Sequence, residues 1–234
     1  MKNFQQEEQE VLQKESGIFT ASLQRRSFLQ YAGAGAAGIA LIAAGCKKDN
    51  QSSDDGVNLG SGDIGILNYA YALEQLEAAF YAAVIQTPYA NIPANELALL
   101  TDIRDHELAH REFFKKALGT NAIPGLEVNF SGINFTQRDS VLATAKAFED
   151  LGVAAYNGAG RLIKSADYLV LAGKIVSVEA RHAALIRDLI SNGTFADSTV
   201  VDANGLDLAY TPSKVLSMAQ AFVKTKINGS NLPS

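Results

Sequence analysis

The sequence predicts an all-α fold, a four-helix bundle, and two observations support this prediction. From about residue 63 to residue 193, apolar residues recur at the spacing of helices that bury one face, in four long segments. The unit Glu-x-x-His occurs twice there, at Glu107–His110 and Glu179–His182, 72 residues apart (179 − 107 = 72). Because residues three apart lie on one face of a helix, each unit can turn a carboxylate and an imidazole towards one metal ion.

The composition limits the classes of function. A chain of 234 residues, 47% hydrophobic and 19% charged, is long enough for one good-sized core and is ordinary for a globular protein. A net charge of −5 argues against nucleic acid as a partner, since phosphate binding needs a basic face. The single cysteine, Cys46, excludes an intrachain disulfide and a cysteine-rich metal site.

Residues 1–45 are typical of an export signal. Arg25 and Arg26 precede a short apolar run rich in Gly and Ala, residues 31–45, which resembles the twin-arginine signals of bacteria. The alternatives are a membrane anchor or a buried helix, but about 15 residues are too few to span a bilayer comfortably. The segment Ala43-Ala44-Gly45-Cys46 resembles a lipobox, with Ala43 where Leu is usual. We therefore expect lipid on Cys46.

Residues 46–62 predict a flexible tether, because they are rich in Gly, Ser and Asp and contain almost no apolar residues. The signal peptide and the tether together predict export across the cytoplasmic membrane. The expected location is periplasmic or at the cell surface, with the chain held to a membrane by lipid on Cys46.

The first predicted helix runs from Asp63 to about Gln86, because Pro88 and Pro93 interrupt the pattern beyond it. The second runs from about Asn95 to Leu118, with Gly119 as its C-terminal cap.

A long connection, residues 119–135, follows the second helix, so the third need not lie antiparallel beside it. Thr136 is the expected cap of a third helix that reaches about Lys164, and Ser165 or Asp167 starts a fourth that ends near Asn192. The bundle is thus predicted over residues 63–193. In the tail, residues 194–234, one short helix is predicted from Pro212 to about Val223, packed on the bundle.

The helical region contains an internal repeat. The eight residues from Glu74 to Tyr81 match the eight from Glu149 to Tyr156 at four positions, occupied by Glu, Leu, Ala and Tyr. Their offset of 75 residues (149 − 74 = 75) is close to the offset of the Glu-x-x-His units. The bundle is therefore interpreted as two copies of a helical hairpin, each with Glu on its first helix and Glu-x-x-His on its second.

Six polar side chains fall on the apolar stripes of these helices, where an unpaired carboxylate costs several kcal/mol. They are Glu74, Glu107, His110, Glu149, Glu179 and His182. Four carboxylates carry a charge of about −4, which two divalent cations would balance. Oxygen-rich ligation with two imidazoles favours iron or manganese.

This ligand pattern, one Glu on each of two helices and Glu-x-x-His on each of the other two, resembles that of di-iron and di-manganese carboxylate bundles. Residues 63–193 are similar to the ferritin-like superfamily, and most of all to the bacterial ferritin-like domain proteins that include desiccation-related proteins. The resemblance implies an up-down-down-up bundle with a long crossover between helices 2 and 3. It also implies that Glu107 and Glu179 bridge the two metal ions.

The resemblance leaves two functions open. The first is an oxidoreductase whose two Fe ions (or Mn) react with O2 or peroxide, as a ferroxidase or peroxidase does, with no catalytic residue apart from the metal ligands. The second is an envelope stress lipoprotein that binds metal or supports assembly without turnover. A homodimer is compatible with either function.

Three assignments have alternatives. Glu77 lies on nearly the same face as Glu74, which is preferred as the ligand because it matches Glu149 in the repeat. His106 is interpreted as a surface residue or a neighbour of the site rather than a ligand, since it points about 100° away from Glu107. Tyr81 and Tyr156 are either plain core aromatics or groups adjacent to the metal ligands.

Overall fold

The computed structural model of the protein describes residues 55–234. Its elements are β1 (Val57–Asn58), α1 (Gly62–Gln86), α2 (Ala94–Leu118), α3 (Arg138–Gly160), α4 (Ala166–Ile190), α5 (Pro212–Ala219) and β2 (Ile227–Asn228). The predicted signal residues Arg25 and Arg26 and the predicted lipidation site Cys46 lie outside the described residues. Within residues 55–234, no helix is long and apolar enough to cross a membrane.

The four long helices form the predicted bundle. They pack as two hairpins, α1 with α2 and α3 with α4, and the hairpins meet where α1 lies against α3. The core between them is dense in aromatic side chains: Phe80 makes edge-on contacts with Tyr81 and Phe148 at centroid distances of 5.1 Å. Such T-shaped pairs are the preferred arrangement of buried rings. The all-α prediction is confirmed.

The first two helices begin within one residue of their predicted starts and end at the predicted residues. Gly119 follows α2 with a φ of 55°, in the left-handed region that favours glycine. Ser165 caps α4 as expected, since its hydroxyl oxygen accepts a hydrogen bond from the Tyr168 amide.

The third helix is shorter than predicted at both ends. The Thr136 hydroxyl donates to the side chain of Asn134 instead of capping the helix, and α3 begins at Arg138. At the other end, α3 stops at Gly160 rather than near Lys164. The amides of Lys164 and Ser165 donate to the carboxylate of Asp63 at 2.8 Å. Because these amides bond to Asp63, 101 positions before Lys164, they do not continue the hydrogen-bonding pattern of α3.

The folded part of the chain begins earlier than residue 63. Val57 pairs with Ile227 and Asn58 with Asn228 in a short parallel ladder, and Leu59 is fully buried. These residues lie in the segment predicted as a tether, residues 46–62. Their partners are near the C-terminus, so local composition does not reveal the pairing.

The C-terminal tail packs on the bundle, as expected. The predicted short helix is observed as α5, followed by a 3-10 turn over Gln220–Phe222. Val215 is fully buried, and the Tyr210 amide donates to the Ala154 carbonyl of α3 at 2.9 Å. Gly158 permits this close approach, because a Cβ at that position would lie 1.7 Å from the Tyr210 carbonyl oxygen.

Candidate metal centre

All six predicted ligands meet at the centre of the bundle, and each long helix contributes. They are Glu74 on α1, Glu107 and His110 on α2, Glu149 on α3, and Glu179 and His182 on α4. The four carboxylates are fully buried, His182 is buried, and the His110 side chain is 13% exposed. The stripe positions predicted from the sequence converge on one region, although α1 is buried on every side over residues 65–78 rather than on one face.

The ligand atoms form two groups, within each of which they lie no more than 4.8 Å from one another. One group consists of Glu74, Glu107, His110 and Glu179. The other consists of Glu107, Glu149, Glu179 and His182. Glu107 and Glu179 belong to both, which is the position that bridging carboxylates would occupy.

The shortest contacts between imidazoles and carboxylates join a histidine of one half of the repeat to a Glu of the other half. The Nδ1 atom of His110 lies 2.9 Å from Oε1 of Glu179, and Nδ1 of His182 lies 2.9 Å from Oε1 of Glu107. Each imidazole also lies 3.5 Å from the single Glu of its own half, Glu74 for His110 and Glu149 for His182. The reciprocal pairs show that α2 and α4 run antiparallel, with their ligands related by an approximate two-fold axis.

Two tyrosines cross between α1 and α3 in the same way. The Tyr81 hydroxyl donates to Oε1 of Glu149 at 2.5 Å, and the Tyr156 hydroxyl donates to Oε1 of Glu74. Burial and the adjacent carboxylates raise the pKa of both tyrosines well above the usual value, so they remain protonated donors. Of the two alternatives for Tyr81 and Tyr156, the structure supports groups adjacent to the predicted ligands.

Eight other oxygen and nitrogen atoms of the cluster have no hydrogen-bond partner among the described residues. They are one oxygen each of Glu74 and Glu149, both oxygens of Glu107 and Glu179, and Nδ1 of His110 and His182. The imidazole nitrogens approach carboxylate oxygens closely, but these contacts do not have hydrogen-bond geometry. Atoms that converge without bonding to one another could hold bound cations, for which carboxylate oxygens and imidazole nitrogens are suitable ligands.

Burial and mutual repulsion dominate the electrostatics of the cluster. They raise the pKa of Glu74 and, more strongly, that of Glu107. Burial alone would lower the pKa of His110, but the adjacent carboxylates raise it to about 10. The same opposition raises the pKa of His182 to about 12. Burial would raise the pKa of Glu179, yet the two imidazoles lower it to about 2. Without metal, the cluster therefore retains protons that a cation would displace.

Glu77 is a fifth buried carboxylate beside the cluster, with an exposure of 4%. It lies outside both ligand groups, whereas Glu74 is within one. Burial, followed by the charges of the four ligand carboxylates, raises the pKa of Glu77 well above its usual value. The sequence signal was the spacing Glu74-x-x-Glu77, which places both carboxylates on one buried face.

His106 contacts the outer side of the cluster. Its Nδ1 atom lies 2.9 Å from Nε2 of His182, and the two rings stack at a centroid distance of 5.1 Å. His106 is exposed and belongs to neither ligand group. Both ring nitrogens of His182 are therefore in contact, one with the carboxylates and the other with His106. Of the two interpretations of His106, surface residue or neighbour of the site, the structure supports the second.

An apolar cavity of about 30 Å³ lies beside the cluster and is lined by all four long helices. Tyr156 lies in its wall and donates its hydroxyl to Glu74, so one side chain joins the cavity to the cluster. The cavity has room for a small apolar molecule.

The fold and the cluster together define a class, the four-helix bundles with a buried carboxylate–histidine cluster. Residues 62–192, more than half of the chain, match the family described as ferritin-like domain, and the chain belongs to this family. A comparison with curated proteins found no match.

Proposed function

We propose that the protein binds two iron (or manganese) ions through Glu74, Glu107, His110, Glu149, Glu179 and His182 and reacts with O2 or peroxide. The observation that carries this proposal is a set of buried atoms, six carboxylate oxygens and two imidazole nitrogens, that have no hydrogen-bond partner among the described residues. Buried polar atoms are rarely left unpaired, and two divalent cations would pair all of them and balance four carboxylates. When bound, such ions supply electrons and a Lewis acid that polarises an oxidant.

The protein residues would set the geometry and the access. Tyr81 and Tyr156 each occupy one oxygen of the carboxylate that they contact, which leaves the other oxygen of Glu149 and Glu74 for a metal ion. The full burial of the carboxylates excludes bulk water. The apolar cavity next to Tyr156 suits dioxygen better than a charged or large substrate.

The test is metal loading of the purified full-length chain. We expect about two Fe²⁺ per chain after anaerobic loading and, on admission of air, rapid growth of near-ultraviolet absorbance with consumption of O2. The exposed variant Glu112→Gln on α2 is the matched control and should behave like the wild type. Two bound ions without oxidation would favour the second function, a non-catalytic metal-binding lipoprotein of the envelope. A chain that binds no metal would contradict both.

We further propose that Arg25 and Arg26 direct export and that Cys46 carries lipid, as the N-terminal motifs suggest. A Cys46→Ser variant should lose incorporation of labelled palmitate in a bacterial host and move from the membrane fraction to the soluble fraction. An Arg25→Lys/Arg26→Lys variant should be retained inside the cell. Unchanged fractionation of the Cys46→Ser variant would contradict lipid anchoring.

A further inference from the structure

The two halves of the cluster differ at one position. Glu77 follows Glu74 by three residues on α1, and the matching position on α3, three residues after Glu149, is Gly152. Among the described residues, no hydrogen bond or ion pair accounts for the carboxylate of Glu77, although only 4% of the residue is exposed. A buried carboxylate without a partner is costly, so its presence in the core points to a bound cation.

The side chain of Glu77 reaches across to α3. A Cβ on Gly152 would lie 3.0 Å from Oε1 of Glu77 and 3.9 Å from Oε2 of Glu179. The missing side chain at Gly152 thus provides the space for this carboxylate. Gly152 lies one turn after Glu149 on α3, and Oε2 of Glu179 lies 3.6 Å from Nδ1 of His182. Glu77 is therefore directed towards the group that contains Glu149 and His182.

We propose that Glu77 is a seventh ligand, which supplies one more carboxylate oxygen to the metal position formed with Glu149 and His182. This inference rests on the proposed function. Because Glu77 lies outside both ligand groups, its side chain must rotate to reach the ion. The rest of the ligand set is symmetric, so one additional negative ligand makes the two metal positions unequal. The position beside Gly152 then binds a cation more tightly than its counterpart.

Titration of the metal-free full-length chain with Co²⁺, followed by calorimetry and visible absorption, tests this proposal. The wild type should bind two ions in two steps of different affinity. Glu77→Gln should still bind two ions, but its tighter step should weaken by more than the ~10–100-fold typical of residues that only support a ligand. Gly152→Ala should weaken the same step less, because the new Cβ reduces the space in which the carboxylate of Glu77 rotates towards the ion.

Glu96→Gln is the matched control. Glu96 is as buried as Glu77, at 4% exposure, but it bonds to Tyr89 and Arg138 and belongs to neither ligand group. This variant should keep both wild-type steps, even if it unfolds at a lower temperature.

Two steps of unchanged affinity in Glu77→Gln, or two equal steps in the wild type, would overturn the proposal. A wild type that binds no Co²⁺ would overturn the proposed function instead. The rise in Tm on metal binding provides a second readout: a purely structural Glu77 would shift the metal-free and loaded forms equally, which would also overturn the proposal. If Glu77→Gln does not fold, the test depends on Gly152→Ala, and two binding steps of wild-type affinity in that variant would overturn the proposal.

Discussion

Replacing Glu179 with Gln should weaken the binding of both metal ions, and this is the largest effect that we expect from a single substitution. Glu179 belongs to both ligand groups, and both of its oxygens lack a hydrogen-bond partner among the described residues. An amide retains the size of the carboxylate but has one acceptor oxygen and no charge, so it cannot bridge two cations. Loss of a ligand should cost more than the ~10–100-fold typical of residues that only support a ligand.

The matched comparison is Glu74→Gln, which removes a carboxylate of equal burial that belongs to one group only. It should weaken one binding step and leave the other close to the wild type. Glu107→Ala should resemble the Glu179 variant, and His182→Ala should resemble Glu74→Gln. Anaerobic Fe²⁺ or Co²⁺ titration with metal analysis gives the stoichiometry of each variant. Full metal content in Glu107→Ala or His182→Ala would contradict the ligand assignment.

The apolar periodicity and the repeat were sufficient to predict the four helices and the convergence of the six polar side chains. A residue such as Glu179 lies on a buried stripe in any bundle built from these helices, so its burial follows from local pattern alone. Each hairpin of the repeat supplies the same set of ligands, so the repeat also indicates that the cluster has two similar halves. It does not predict that the shortest contacts, His110 with Glu179 and His182 with Glu107, cross between these halves.

The features that the sequence did not predict depend on distant partners. Asp63 ends α3 early through the amides of Lys164 and Ser165, a contact that no local pattern encodes. Leu59 is buried because the strand before it pairs with residues near the C-terminus.

Within the site, the sequence left open whether Tyr81 is a plain core aromatic or a group adjacent to the metal ligands. Its hydrogen-bond partner is Glu149 of the other half of the repeat, 68 residues away. Only the packing of α1 against α3 decides such pairings.

The metal-free protein should lose stability between pH 6 and pH 9, whereas the metal-loaded protein should not. In the folded chain the pKa of His110 is about 10 and that of His182 is about 12, against 6.5 for an unperturbed imidazole. Between these values the folded state holds protons that the unfolded state has released. Stability therefore falls as pH rises, by about 1.4 kcal/mol per pH unit for each additional proton held.

The carboxylate of Glu149 acts in the same direction. The pKa of Glu149 is raised to about 7, mainly by burial, so its contribution is present below the unfolded value of 4.5 and is lost as pH rises through 7. The pKa of Glu179 is lowered to about 2, so its contribution changes only at more acidic pH and leaves this window unaffected. For two imidazoles that each hold one additional proton over about 2.5 pH units, the loss of stability from pH 6 to pH 9 is on the order of 7 kcal/mol.

Metal binding should reverse the trend, because the cations displace these same protons and bind more tightly as pH rises. The stabilisation by bound metal grows with affinity, so the gap in Tm between loaded and metal-free protein should widen from pH 6 to pH 9. Thermal unfolding of both forms across this range, with Glu179→Gln as a variant that should show little gap, measures the effect. A metal-free Tm that rises with pH, or a gap that narrows, would contradict a proton-holding cluster that exchanges its protons for metal.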